Sequence, residues 1–243
     1  MNASGHNTLY FERTAIVAGS PMMNILHQCR VAVFGLGGVG SWCAEALART
    51  AVGHITLVDP DSVAPSNINR QLPALEPTIG RPKAEVLAER FAAINPDGVF
   101  TPRVEAYSPA NAGSFDLGSF DYVVDAIDSL SDKADLILRC TDAATAPRGA
   151  FFSSMGAARK LDPGRVAAAE FWKVEGCPLA RALRTRFRRS GVFPARKFTC
   201  VYSPESIPQQ GDARANGTFA HITMTFGTRL AALVVAEIYR RTH

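Results

Sequence analysis

Cysteine pairs of the C-x-x-C kind are missing from this sequence. Its five cysteines, Cys29, Cys43, Cys140, Cys177 and Cys200, are scattered. An odd, widely spaced set argues against a disulfide framework and against a four-cysteine zinc site, so no zinc is expected. A reducing cytoplasm is the expected compartment. The N-terminus, MNASGHNTLYFERT, lacks a basic region followed by an apolar one, so no signal peptide is expected. No apolar run reaches the ~20 residues of a membrane span. The best candidate, FAHITMTFGTRLAALVVAEIYRR, is interrupted by His221, Gly227 and Arg229. It is expected as a buried core helix, with no membrane partner. Internal repeats and low-complexity tracts are absent too. What remains is 47% hydrophobic and 20% charged, the balance of a globular chain with a sizeable core.

Strand-like and helical runs alternate through the first 155 residues. RVAVFG (30–35), HITLVD (54–59), VFTPRVEA (99–106), FDYVVDAID (120–128) and GAFFSSMG (149–156) read as strands. Helices are expected over 39–50, 83–94 and 131–143. Pro102 places the third strand near a sheet edge. Such alternation predicts an α/β fold: a Rossmann-like, mostly parallel sheet with helices on both faces. Beyond residue 157 the rhythm changes. RVAAAEFWKV (165–174) and KFTCVYS (197–203) read as strands, and PESIPQQGDARANG (204–217) as a mobile loop. One domain over 1–243 is expected: an arm and helix (1–29), a core of alternating strands and helices (30–156) and a smaller mixed C-terminal extension (157–243).

The stretch VAVFGLGGVGSWCAEALA carries Gly35, Gly37, Gly38 and Gly40 between a strand and a helix. Gly35 permits a tight turn, Gly37 lets phosphate approach the backbone, and Gly40 lets helix and strand pack closely. The helix N-terminus then faces an anion with free N–H groups. Asp59 ends the next strand, about 20 residues on, where a ribose-binding acid belongs. So far NAD would fit. DPDSVAPSNINRQ (59–71) and GRPKAE (80–85) tip the balance to ATP. They crowd Asp61, Ser66, Asn67, Asn69, Arg70 and Lys83 beside that acid, and a triphosphate needs cationic donors where charge builds during attack on phosphorus. VVDAIDS (123–129) adds carboxylates at the carboxyl end of a strand. Asp128, followed by Ser129, suits a Mg²⁺ that bridges phosphates. ATP and Mg²⁺ are the expected cofactors.

The segment 181–198, RALRTRFRRSGVFPARKF, holds six arginines, one lysine and no acid, while acids outnumber bases elsewhere. Arg181, Arg184, Arg188, Arg189, Arg196 and Lys197 make a candidate footprint for a polyanion, and the interleaved Phe187, Phe193 and Phe198 could stack on bases. Cys200 has no histidine nearby in sequence and reads as a buried strand residue.

GxGGxG, the aspartate-ended strand, SNINRQ, Lys83 and DAIDS together resemble the ubiquitin-activating-enzyme-like adenylyltransferases, over about 13–155. That superfamily includes the sulfur-carrier adenylyltransferases of thiamine and molybdopterin biosynthesis, which carry two zinc-binding C-x-x-C pairs. With Ser41 and Trp42 after the glycines and FTCVYSPE (198–205), the chain is most similar to the tRNA threonylcarbamoyladenosine dehydratases. This resemblance runs from about residue 11 to the C-terminus. It implies that Asp59 holds ribose, that Asn67 and Asn69 line the phosphates, that Arg70 and Lys83 polarise them, and that Asp128 serves the metal. FERT (11–14) resembles the family's arm, whose arginine, here Arg13, reaches a neighbouring subunit's nucleotide in some members. A homodimer is therefore implied, with tRNA as partner and room for a sulfur-transfer protein.

The implied reaction uses only the substrate's nucleophiles. A threonyl carboxylate attacks the α-phosphate of ATP, pyrophosphate leaves, and a ureido group of the same side chain displaces AMP and closes a ring. The protein supplies positioning and charge. Activation of a ubiquitin-like sulfur carrier at its C-terminus is the alternative. A non-catalytic nucleotide module or an NAD oxidoreductase would have no use for Arg70 and Lys83.

Overall fold

The computed structural model describes residues 9–208 and 216–242; the middle of the expected loop 204–217 lies outside the described residues. The central strands are β1 (Arg30–Phe34, RVAVF) and β4 (Tyr122–Asp125, YVVD). Both are nearly apolar from end to end, and such strands must be covered on both faces. β1 pairs in parallel with β4 and with β2 (His54–Val58). With β3 (Val99–Arg103), β5 (Ala150–Ser154), β6 (Ala167–Glu170) and β7 (Thr199–Tyr202), the sheet runs β3-β2-β1-β4-β5-β7-β6. Every pairing is parallel except β6 with β7. Pro102 indeed lies in an edge strand.

Alternate residues of β1 feed two cores. Val31 and Val33 pack beneath α1 (Glu12–Gln28), α2 (Gly40–Arg49), α3 (Lys83–Ile94) and α6 (Ala220–Thr242). Ala32 and Phe34 pack beneath α4 (Leu130–Thr141) and α5 (Pro178–Ser190). This is the doubly wound arrangement the strand–helix alternation predicts. In the second part of the chain the expected strand 165–174 is shortened to β6 (Ala167–Glu170): residues 163–165 and 171–173 on either side form 3-10 turns. The cause of the second turn is Phe171, which turns fully inward to stack on Phe198, with ring centroids 5.0 Å apart.

α6 is long and apolar enough to cross a membrane by length and composition. Its apolar stripe, however, is spent on the protein: Ile222, Phe226, Leu230, Val234 and Ile238 are all fully buried at four-residue spacing. The helix lies along α2 and closes the first core, so the segment expected as a core helix is one. Replacing a buried phenylalanine leaves a cavity that the surroundings fill only in part. Phe226→Ala is expected to remove about 3–5 kcal/mol of stability, read as a lower urea midpoint with an unchanged slope.

Candidate active site

The strand order reverses between β1 and β4, and ligands of such sheets bind at the carboxyl ends beside that point. There the structure has a cleft of about 680 Å³. Gly35 leaves β1 with φ +85°, a left-handed conformation open to glycine. A β-carbon at Gly40 would stand 1.8 Å from the Gly35 carbonyl oxygen, so only glycine lets α2 start there. Gly37 faces open cleft, and Gly38 packs against Thr223 of α6.

Asp59 sits at the end of β2, as expected, and is buried. Its Oδ2 accepts from the Leu36 N–H at 2.6 Å and its Oδ1 from the Asp61 N–H at 2.9 Å. It therefore braces the glycine turn. Burial pushes its carboxyl pKa up, and the Leu36 N–H and Lys83 oppose the shift. Lys83 opens α3 nearly buried, with Nζ 2.8 Å from Asp61 and 3.9 Å from Asp59. Arg70 reaches the same cleft; its guanidinium donates to the Ser66 carbonyl at 2.9 Å and to Asn69 Oδ1 at 2.7 Å.

Other predicted residues are placed differently. Asn67 turns its carboxamide back to accept from the Ala64 N–H at 3.1 Å, closing its own 3-10 turn. Asn69 is committed to Arg70 and to the Thr218 carbonyl. Neither they nor Ser66 line the cleft; they shape the loop that presents Arg70. Asp128 and Ser129 do line it, and Asp128 is exposed there with no ion-pair or hydrogen-bond partner among the described residues. Arg13 is exposed on α1 and does not line its own chain's cleft.

Residues in and under the cleft escaped the sequence reading. Gln71 is nine-tenths buried on the cleft wall, with Oε1 lacking any hydrogen-bond partner among the described residues. Lys133 is fully buried below the floor, with Nζ 2.8 Å from Asp125 Oδ2 and 3.0 Å from the Ile127 carbonyl. Asp125 also accepts from Ser153 Oγ at 2.6 Å and from the Ile127 N–H at 3.0 Å. This network fixes the turn that carries Asp128. Lys133 falls in phase with Leu136, Ile137 and Cys140 on the buried stripe of α4, the signal that could have revealed it.

The basic segment splits in two. α5 buries Ala180, Leu183 and Phe187, and Phe198 is buried too, so Phe187 and Phe198 cannot stack on bases. Arg184 donates to the Phe171 and Val174 carbonyls at 3.1 and 2.8 Å, which takes it out of the expected footprint. Arg181, Arg188, Arg189, Arg196 and Lys197 are exposed, as is Phe193. All five cysteines are buried. Cys200 has no exposed surface, and burial holds its thiol well above the ordinary pKa. It is a strand residue of the core.

A glycine turn at the switch point of a doubly wound sheet, ringed by Arg70, Lys83 and Asp128, defines a nucleotide-binding α/β protein. The chain belongs to the ThiF family, which it matches over residues 11–241. It is 35% identical over 233 residues to the tRNA threonylcarbamoyladenosine dehydratase of Haemophilus influenzae, covering 89% of this chain and 88% of that one. It is 38% identical over 202 residues to the Escherichia coli enzyme of that name, covering 81% and 74%. The crystal structure of the E. coli tRNA N6-threonylcarbamoyladenosine dehydratase in complex with ATP superimposes with a TM-score of 0.89 at 33% identity. That superposition spans 99% of this chain and 98% of that one.

Removing one member of a buried ion pair leaves the other uncompensated and costs about 3–5 kcal/mol. Lys133→Met is therefore expected to lower stability by that amount. Adding Asp125→Leu should restore part of it, as measured by urea unfolding of the single and double variants.

Proposed function

We propose that this chain is an ATP-dependent tRNA threonylcarbamoyladenosine dehydratase, a soluble cytoplasmic enzyme. The observation that carries this reading is the similarity to dehydratases over nearly nine-tenths or more of each chain, one of them solved with ATP. A cleft with the cations a triphosphate needs supports it. The threonyl carboxylate of the modified adenosine attacks the α-phosphate of ATP, forming an acyl adenylate and expelling pyrophosphate. The ureido group of the same side chain then attacks the acyl carbon. AMP leaves with the carboxylate oxygen, so the net change in the RNA is loss of water.

The residues divide the work. The glycine turn and the N-terminus of α2 take the phosphates through backbone N–H groups and the helix dipole. Arg70, held by Ser66 and Asn69, places its guanidinium where charge builds on the α-phosphate. Lys83 adds a second cation. Asp59, through the Leu36 N–H, keeps the turn in shape while facing the ribose side. Asp128 is an exposed carboxylate without a partner among the described residues, and Mg²⁺ binds by one or two carboxylates plus phosphate oxygens, so this residue fits a nucleotide-borne Mg²⁺. The metal would neutralise phosphate charge there.

The tRNA would lie along α5. A groove of about 650 Å³, lined by Arg181, Arg186 and Arg189, shares Pro178 with the nucleotide cleft. A phosphate backbone seated on these arginines leads a base toward the cleft. A homodimer is favoured by the apolar residues that α1 leaves in water, Ile16 at 69% and Val17 at 79% exposure. Arg13 stands on that same helix, within reach of a second copy.

Two measurements test this. Arg70→Ala is expected to lower tRNA-dependent ATP–pyrophosphate exchange about 100- to 1000-fold with an unchanged melting temperature. Near-wild-type exchange would remove Arg70 from its role. Replacing Arg181, Arg188 and Arg189 together by alanine is expected to weaken tRNA binding at constant ATP affinity. The slope of log K against log salt should fall by about 2–3, roughly 0.7–0.9 per lost phosphate contact. An unmoved slope would rule out the α5 footprint.

A further inference from the structure

Three lysines are buried: Lys83, Lys133 and Lys160. Two have carboxylates at ion-pair distance, Asp61 and Asp59 for Lys83 and Asp125 for Lys133. Lys160 has none among the described residues. It is 2% exposed, lines the cleft, and donates to the backbone carbonyl of Glu205. The Glu205 carboxylate is engaged elsewhere, accepting from the Leu161 and Asp162 N–H groups at 2.8 and 3.0 Å. A buried ammonium without a counter-charge is costly unless a bound anion completes it. Burial accordingly pulls the Lys160 pKa below the usual lysine value, against the pull of Cys177 and Glu205.

The position of Lys160 in the sheet says which anion. The glycine turn follows β1 and Asp59 ends β2, so ribose and phosphates claim the β1–β2 half of the cleft. Lys160 follows β5, on the other side of β4 from β1. The preceding residue, Arg159, is left-handed at φ +60°. Its backbone is pinned at both ends, N–H to the Gly217 carbonyl and carbonyl to the Ile207 N–H, each at 3.0 Å. Lys160 is thus presented from a braced turn on the wall facing the acyl half. Resting on the dehydratase reading, we propose that Lys160 is the contact for the substrate's carboxylate. It would hold that carboxylate as an anion until adenylylation removes the charge, and so select a free acid as the acyl donor.

The test compares two anticodon stem-loop RNAs, one bearing threonylcarbamoyladenosine as the free acid and the other its methyl ester. Binding is measured with an ATP analogue whose α–β bridge is methylene, so that no turnover occurs. Wild-type protein is expected to prefer the acid about tenfold or more, the range of a charge-assisted hydrogen bond. Lys160→Gln keeps a donor for the Glu205 carbonyl and removes the charge. It should bind acid and ester alike while holding the ATP analogue within twofold of wild type. Lys160→Arg should retain the preference, and Lys160→Met, which fills the buried site with an apolar chain, should lose it as Gln does. A preference kept by Lys160→Gln overturns the proposal. So does a loss of ATP-analogue affinity matching the loss for the acid, which would make Lys160 a phosphate contact. Absence of pyrophosphate release by wild-type protein with the acid-bearing RNA overturns the dehydratase reading as well, so the two failures are distinct.

Discussion

Where the chain leaves β1 and enters α2, the Gly35 carbonyl occupies the place a β-carbon at position 40 would need. That close crossing sets how steeply α2 rises from the sheet and aims its free N–H groups into the cleft. Asp59 then reaches across from β2 to the Leu36 N–H, and the Ala126 N–H bonds the Phe34 carbonyl at 2.7 Å from the β4 side. The turn is therefore held by both neighbouring strands. Loop 65–71 docks onto the result, with the Trp42 Nε1–H donating to the Arg70 carbonyl at 3.0 Å. Arg70 is aimed by a structure that begins with two glycines in contact.

Charge in the cleft is distributed by the same logic of bracing. Lys133 and Asp125 are wholly withdrawn from water and serve geometry: between them they hold the N–H and the carbonyl of Ile127 and hence the start of the segment with Asp128. Lys83 is paired with Asp61, whose side chain is mostly exposed, so its charge still acts toward the cleft. Buried cations of one residue type thus do different work according to what lies within 4 Å of them.

Much of the architecture could be read from the chain. Hydrophobic runs such as RVAVF and YVVD announce strands covered on both faces, and Pro102 marks an edge because it cannot donate to a neighbour. The glycine turn and the cations Arg70 and Lys83 were also legible, since their chemistry is tied to residue type and spacing. What could not be read was side-chain direction. Asn67 and Asn69 look like phosphate donors in sequence, yet Asn67 is satisfied by the Ala64 N–H of its own 3-10 turn and Asn69 is taken up by Arg70 and the Thr218 carbonyl. Arg184 and Phe187 belong to a basic, aromatic string, but helical periodicity turns Phe187 inward and lets Arg184 cap the Phe171 turn. Lys133 and Lys160 were missed because a lysine signals solvent unless the partner that tolerates its burial is known; Asp125 sits on a strand across a turn from Lys133, and the Glu205 carbonyl is 45 residues from Lys160.

Thr223 of α6 packs against Gly38, and Phe226 and Leu230 seal the layer above α2. The helix that backs the glycine turn is thus the last described element in chain order. During synthesis the sheet and the turn emerge long before it, and domains fold as units once enough of them is available. A nascent chain that has emerged only to residue 216 holds every described strand and the cleft cations Arg70, Lys83 and Lys160, with the apolar face of α2 still uncovered. The glycine turn gains its backing only when a segment more than a hundred and eighty residues downstream folds onto it.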